Sequence, residues 1–106
     1  MGPRITAILG TLREHLEALY GERLARMILF GSQAREDAEP GSDIDVLVVL
    51  KGSVDAFEEI ERTGDIVPDL SLEEGVTIAC VFMSDDEFCQ RESPLLLNVR
   101  REGVAV

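Results

Sequence analysis

The chain has 106 residues, enough for one domain with a single core and too few to set a separate substrate-recognition domain beside a small-molecule site. Ten Lys and Arg against twenty-one Asp and Glu give a formal charge of −11, which opposes unaided docking on a nucleic-acid backbone, where affinity comes from cationic contacts. The same surplus suits a basic protein partner, or serves simply as a solubility device.

Two cysteines, Cys80 and Cys89, are too few and too irregularly placed for a disulfide framework or a zinc cluster, and Cys80 lies in an apolar run as a buried thiol would. A reducing cytoplasm is the expected location. The N-terminal segment is amphipathic and not uniformly apolar, so no signal peptide or membrane span is expected.

In chain order, Ile5, Ile8, Leu9, Leu12, Leu16, Leu19 and Tyr20 recur at helical spacing, with Arg13, Glu14 and Glu17 opposite. This predicts an amphipathic helix over residues 4–20, ended near Gly21 and covering one face of a sheet. His15, the sole histidine, falls at the border of the apolar arc and reads as a bystander, so Ser-His-Asp or Cys-His catalysis is hard to assemble. Residues 24–30 read as a strand, and Gly31-Ser32 starts a short helix with Ser32 as its N-cap. Residues 39–42 form a turn. A second strand over 43–50 puts Asp43 and Asp45 on one face and Ile44, Val46 and Val48 on the other, because side chains alternate along a strand.

Val54, Phe57 and Ile60 predict a helix to about residue 63, and Asp65 heads another with Pro68 in its first turn and Gly75 at its end. Residues 76–83 form a third strand, Ser84 caps a short acidic helix, and Ser93-Pro94 opens a final helix closed by Gly103. The order is α-β-α-β-α-α-β-α-α in one unit, residues 1–106.

The chemistry concentrates where the first two strands meet. Magnesium is held by one or two carboxylates plus substrate phosphates, and Asp43 and Asp45 supply such a pair, with two ions as an open possibility. With two ions, one activates the attacking hydroxyl and the other stabilises leaving pyrophosphate, so the protein needs charge and position more than a nucleophile. Gly31 lets a phosphate approach the backbone, Ser32 adds a hydroxyl, and Arg35 one turn on can neutralise a β- or γ-phosphate. Each piece alone is ordinary loop, turn or surface chemistry; together they point to a nucleoside triphosphate, ATP or another.

Leu29-Phe30-Gly31-Ser32-Gln33-Ala34-Arg35, followed by Ser42-Asp43-Ile44-Asp45-Val46-Leu47-Val48, resembles the minimal nucleotidyltransferases of the DNA polymerase beta superfamily. The resemblance continues through residues 71–76 to 93–103 and so covers nearly the whole chain. It implies an α/β (α+β) nucleotidyltransferase fold, a small mixed sheet with helices on one face and the nucleotide on the other. By that similarity Gly31 and Ser32, with Ser42 heading the second motif, would hold the triphosphate; Arg35 would lie near the phosphates, and Asp43 and Asp45 would bind magnesium.

Members of the family transfer a nucleoside monophosphate, often AMP, to an acceptor hydroxyl on protein or RNA. Many of this size partner a HEPN-domain protein as the antitoxin of a toxin-antitoxin pair, silencing it by nucleotide attachment or by occlusion. One departure stands out: the third acid expected on the following strand falls at Ala79, between Thr77 and Val81, and Glu73, Glu74, Asp85 and Asp86 nearby read as helix-end surface residues. Gln33 stands where Arg is frequent and Glu36 where Gly is frequent, which makes the phosphate side less positive. An enzyme and a binding module that acts by occlusion therefore both remain open, as does a homo-oligomer.

Overall fold

The apolar stripe of the first helix sets the layering. In the computed structural model, which describes residues 2–39 and 41–106, α1 runs Pro3–Tyr20 with proline at its first position and buries Ile8, Leu9, Leu12, Leu16 and Tyr20. Met1 and Pro40, the latter part of the expected turn, lie outside the described residues. Gly21 ends α1 at φ +56, and a single 3-10 turn, Gly21–Arg23, feeds β1. The chain continues through β1 (Leu24–Phe30), α2 (Ser32–Arg35), β2 (Ile44–Leu50), α3 (Ala56–Arg62), α4 (Ile66–Glu74), β3 (Ile78–Ser84), α5 (Asp85–Gln90), α6 (Pro94–Glu102) and β4 (Val104–Ala105).

The strands form one mixed sheet in the order β3-β2-β1-β4. β1 is antiparallel to both β2 and β4, whereas β2 and β3 are parallel and joined by the crossover through α3 and α4. β2 is central and covered on both faces, which is why six of its seven residues are buried and it reads as a nearly continuous apolar run. Met27, Leu29, Ile44, Val46, Val48 and Phe82 fill one face with α1 and Leu70 of α4. Ile28, Leu47, Val49 and Met83 fill the other with Leu96 and Val99 of α6. The face that carries Asp45 is thus shared between the site and α5–α6.

Local signals were accurate where one side chain suffices. Ser84 accepts from the Glu87 amide at 3.1 Å and Ser93 from the Leu96 amide at 3.2 Å, and Gly75 closes α4 in the left-handed conformation. Asp65 holds the N-cap position of α4 without a side-chain cap bond. Ser32 is a correction: Gly31 occupies the N-cap position of α2, and Ser32, already inside the helix, is too late to cap it. Cys80 is half-buried against the core, where burial pushes its thiol up to about 12, while Cys89 is exposed. No helix among the described residues is long and apolar enough to cross a membrane.

Candidate active site

β1 delivers the chain to Gly31, where φ +76 and ψ −157 describe a backbone conformation that only glycine adopts without strain. The position is also sterically closed, since a Cβ added to Gly31 would lie 2.5 Å from Oδ2 of Asp45. The turn therefore lies flat against the carboxylate. Across the sheet Asp45 is opposite Phe30 of β1 and Ala79 of β3, and the Ile44 amide donates to the Thr77 carbonyl at 2.8 Å to hold that corner.

Asp43 is exposed just before β2 and Asp45 is half-buried. Burial first, and the Asp43 charge second, raise the Asp45 carboxyl above its ordinary value, while the Arg35 guanidinium pulls it back down. Three residues picked out by the sequence motif thus share one electrostatic environment. Arg35 sits at the last position of α2 and donates to Asp37 Oδ2 at 3.1 Å and Glu102 Oε2 at 3.0 Å. The amides of Ala34 and Arg35 turn back onto the Gly31 carbonyl at 3.1 and 3.2 Å.

Ser42 is occupied with its own turn: its hydroxyl accepts from the Glu39 amide and its amide donates to the Glu39 carbonyl, both at 3.0 Å. Sequence reasoning did not find the contact that joins the two half-motifs, in which Gln33 Nε2 donates to the Ser42 carbonyl at 3.3 Å. Nor did it find Glu102, which comes from the far end of the chain to hold Arg35. Neither contact leaves a local pattern. Glu36 explains the frequent glycine at its position, because it caps α2 at φ +63 and is the non-glycine residue among those described with a positive φ.

The donor chemistry available to a metal is the Asp43/Asp45 pair. Among the described residues no group of three or more His, Cys, Asp or Glu gathers as a metal cluster, and the place beside Asp45 on β3 carries the methyl of Ala79. Two neighbouring carboxylates, with the Asp43 charge adding to burial in raising Asp45, fit a hard divalent cation whose remaining ligands are phosphate and water. Among the described residues no third carboxylate joins them to hold a second ion. His15 is exposed on α1, outside this arrangement.

Comparison with known proteins agrees with the geometry. The nucleotidyltransferase domain family matches residues 9–102. A Methanocaldococcus jannaschii protein provisionally named a protein adenylyltransferase is 38% identical over 89 residues, covering 83% of each chain. A solved toxin-antitoxin structure with AMP-PNP superposes with a TM-score of 0.63 at 19% identity, covering 89% of this chain and 68% of that one. A Shewanella oneidensis structure of a tri-AMPylated HEPN toxin in complex with an MNT antitoxin gives 0.54 at 17% identity, covering 92% and 70%. At these identities the two solved structures show a shared fold. A glycine turn packed on a strand aspartate, in a mixed sheet of this topology and over almost the full length matched, places the chain in the nucleotidyltransferase domain family, as a minimal nucleotidyltransferase domain protein.

Proposed function

We propose that the protein is a magnesium-dependent adenylyltransferase that moves AMP from ATP to a hydroxyl of a partner, most simply a HEPN-domain toxin in the cytoplasm, for which it acts as antitoxin. The observation that carries this reading is the close approach of the Asp45 carboxylate to Gly31, which leaves no room for a Cβ there and supports a phosphate-binding turn beside a metal-binding pair. The names of the relatives, a protein adenylyltransferase and an antitoxin beside an AMPylated toxin, support the substrate class and the kind of partner.

In the reaction the acceptor oxygen attacks the α-phosphorus; the new P–O bond forms as the bond to the bridging oxygen breaks, and pyrophosphate leaves with that electron pair. The hydroxyl proton passes to solvent water. Magnesium, when bound, supplies charge neutralisation of the phosphates and polarisation at phosphorus. Asp43 and Asp45 hold it, the Ser32 hydroxyl and the amides of Ser32 and Gln33 receive the phosphates, and Ser42 keeps the loop that presents Asp43 closed. Arg35 exchanges Asp37 and Glu102 for phosphate oxygens, which match its forked donors equally well.

Replacing Asp43 and Asp45 by Asn is expected to lower pyrophosphate release with the partner present by at least about a hundredfold, the scale of losing one charge-stabilising group. Persistent turnover would remove these residues from the mechanism. Ala79 opposite Asp45 favours a second reading, a nucleotide-binding module that neutralises its partner by occlusion. In that case the doubly substituted protein still silences the partner, and the partner gains no nucleotide mass on incubation with ATP.

A further inference from the structure

The outer side of α3 and α4 is built unlike the rest of the surface. Phe57 and Ile60, one turn apart on α3, are 69% and 56% exposed, and Leu72 on α4 is 85% exposed. Ile60 stands at the rim of a cavity of about 220 Å³ that reaches edge strand β3 between Thr63, Val67, Pro68, Cys80 and Phe82. Pro68 and Leu72 then border a shallow depression that ends on Gly41 and Thr77. The Thr77 carbonyl accepts from the Ile44 amide, so this strip ends beside Asp43.

Its rim is acidic. Residues 55–74 contain eight Asp and Glu against one cation, Arg62, which is paired with Glu59 at 3.0 Å. Glu58, Glu61, Asp65, Asp69 and Glu73 are all exposed around the apolar residues. A second copy of the chain would bring the same carboxylates face to face, and a nucleic acid would meet them with phosphates; a cationic protein segment meets neither obstacle. The apolar strip with a cavity for one side chain asks for an apolar face on that segment as well.

We infer that the α3–α4 face docks a basic amphipathic helix of a partner protein, with one apolar side chain seated in the cavity under Ile60 and Lys or Arg against Glu58, Glu61 and Asp65. Docking deepens the transfer reading, on which it rests for its purpose but not for the binding itself: a partner held along this strip has its next residues beside Asp43.

The test uses a labelled synthetic helical peptide with leucines on one face and lysines on the other, and a scrambled isomer of equal composition, titrated into the full chain by fluorescence anisotropy. The amphipathic peptide is expected to bind at least about tenfold tighter than the isomer. Phe57→Ser with Ile60→Ser, at exposed positions that leave thermal unfolding in place, should lose about tenfold in affinity, and Glu58→Lys with Glu61→Lys a similar amount. Leu97→Ser, exposed on α6, should bind as the unaltered chain does. Equal binding of the isomer, no loss in the Phe57/Ile60 variant, or an equal loss at Leu97 would each overturn the assignment. Self-association by sedimentation that vanishes in the Phe57/Ile60 variant would hand the face to a second copy and overturn it too. The Asp43→Asn, Asp45→Asn protein keeps peptide binding, so failure of docking and failure of transfer are read separately.

Discussion

At Asp45, burial and the charge of Asp43 both hold the carboxyl above its ordinary value of 3.8, and Arg35 only partly offsets them. A folded-state value above the unfolded one means that the fold prefers the protonated acid. That preference is fully present below the unfolded value and is lost as pH rises through the folded one, so at neutral pH the ionised group weighs against the fold. Asp45→Asn is therefore expected to raise the melting temperature of the nucleotide-free protein while removing magnesium-dependent ATP binding; a lower melting temperature would contradict the sign. Gly31 is constrained twice, by φ +76 and by Asp45 Oδ2 at 2.5 Å from any added Cβ. Gly31→Ala should lose about 1–3 kcal/mol of stability in urea unfolding and weaken ATP binding, because the carboxylate must swing away from the turn. That Gly31-Ser32 and Asp43/Asp45 would come to one corner was legible in the sequence, because an apolar strand beside each half-motif sets the two next to each other. Ser32 as a cap was not, since whether a helix starts at Gly31 or Ser32 depends on where Asp45 stops the backbone.

Between elements, Tyr20 of α1 donates to the buried Glu59 of α3 at 2.7 Å, with Arg62 on the same carboxylate at 3.0 Å. Burial first, then the hydrogen bond to Glu59, raise the Tyr20 phenol far above 10.0. This stabilisation is whole below pH 10 and is lost as pH climbs through the folded value. Tyr20 is the single tyrosine of a chain without tryptophan, so phenolate absorbance reads it directly. We expect its midpoint well above the free value, and lower in Glu59→Gln; an ordinary midpoint in the unaltered chain would deny the contact. At the other end α6 closes on Gly103, where a Cβ would lie 2.4 Å from the Val99 carbonyl oxygen and 2.6 Å from Ile28 Cγ2. Gly103→Ala should cost about 1–3 kcal/mol by overpacking, measured by thermal melting, although its φ of −64 suits any residue. The helices and strands were readable from apolar period and caps. β4 was not: two residues after Gly103 carry no periodicity, and they become a strand only because β1 presents an unpaired edge to Val104 and Ala105.

Over the whole molecule, the charge of −11 is distributed unevenly, with the face of α3 and α4 among its densest parts. Association with a basic partner is expected to be steered by this field, so the association rate should fall steeply with added salt while the dissociation rate changes little. Stopped-flow mixing at two ionic strengths checks it, and a salt-independent association rate would leave the acidity as a solubility device. Apolar spacing, caps and the two half-motifs were enough, without coordinates, for the elements from α1 to α6 and for the family, because those signals are local along the chain. Tertiary structure alone decided that Glu102 reaches Arg35 and that Gln33 ties the two half-motifs together, and it set Ala79, the position the resemblance had singled out, in register with Asp45 across parallel β2 and β3. Those relations join residues brought together by the packing of both sheet faces, and no short stretch of sequence carries the energy that selects them.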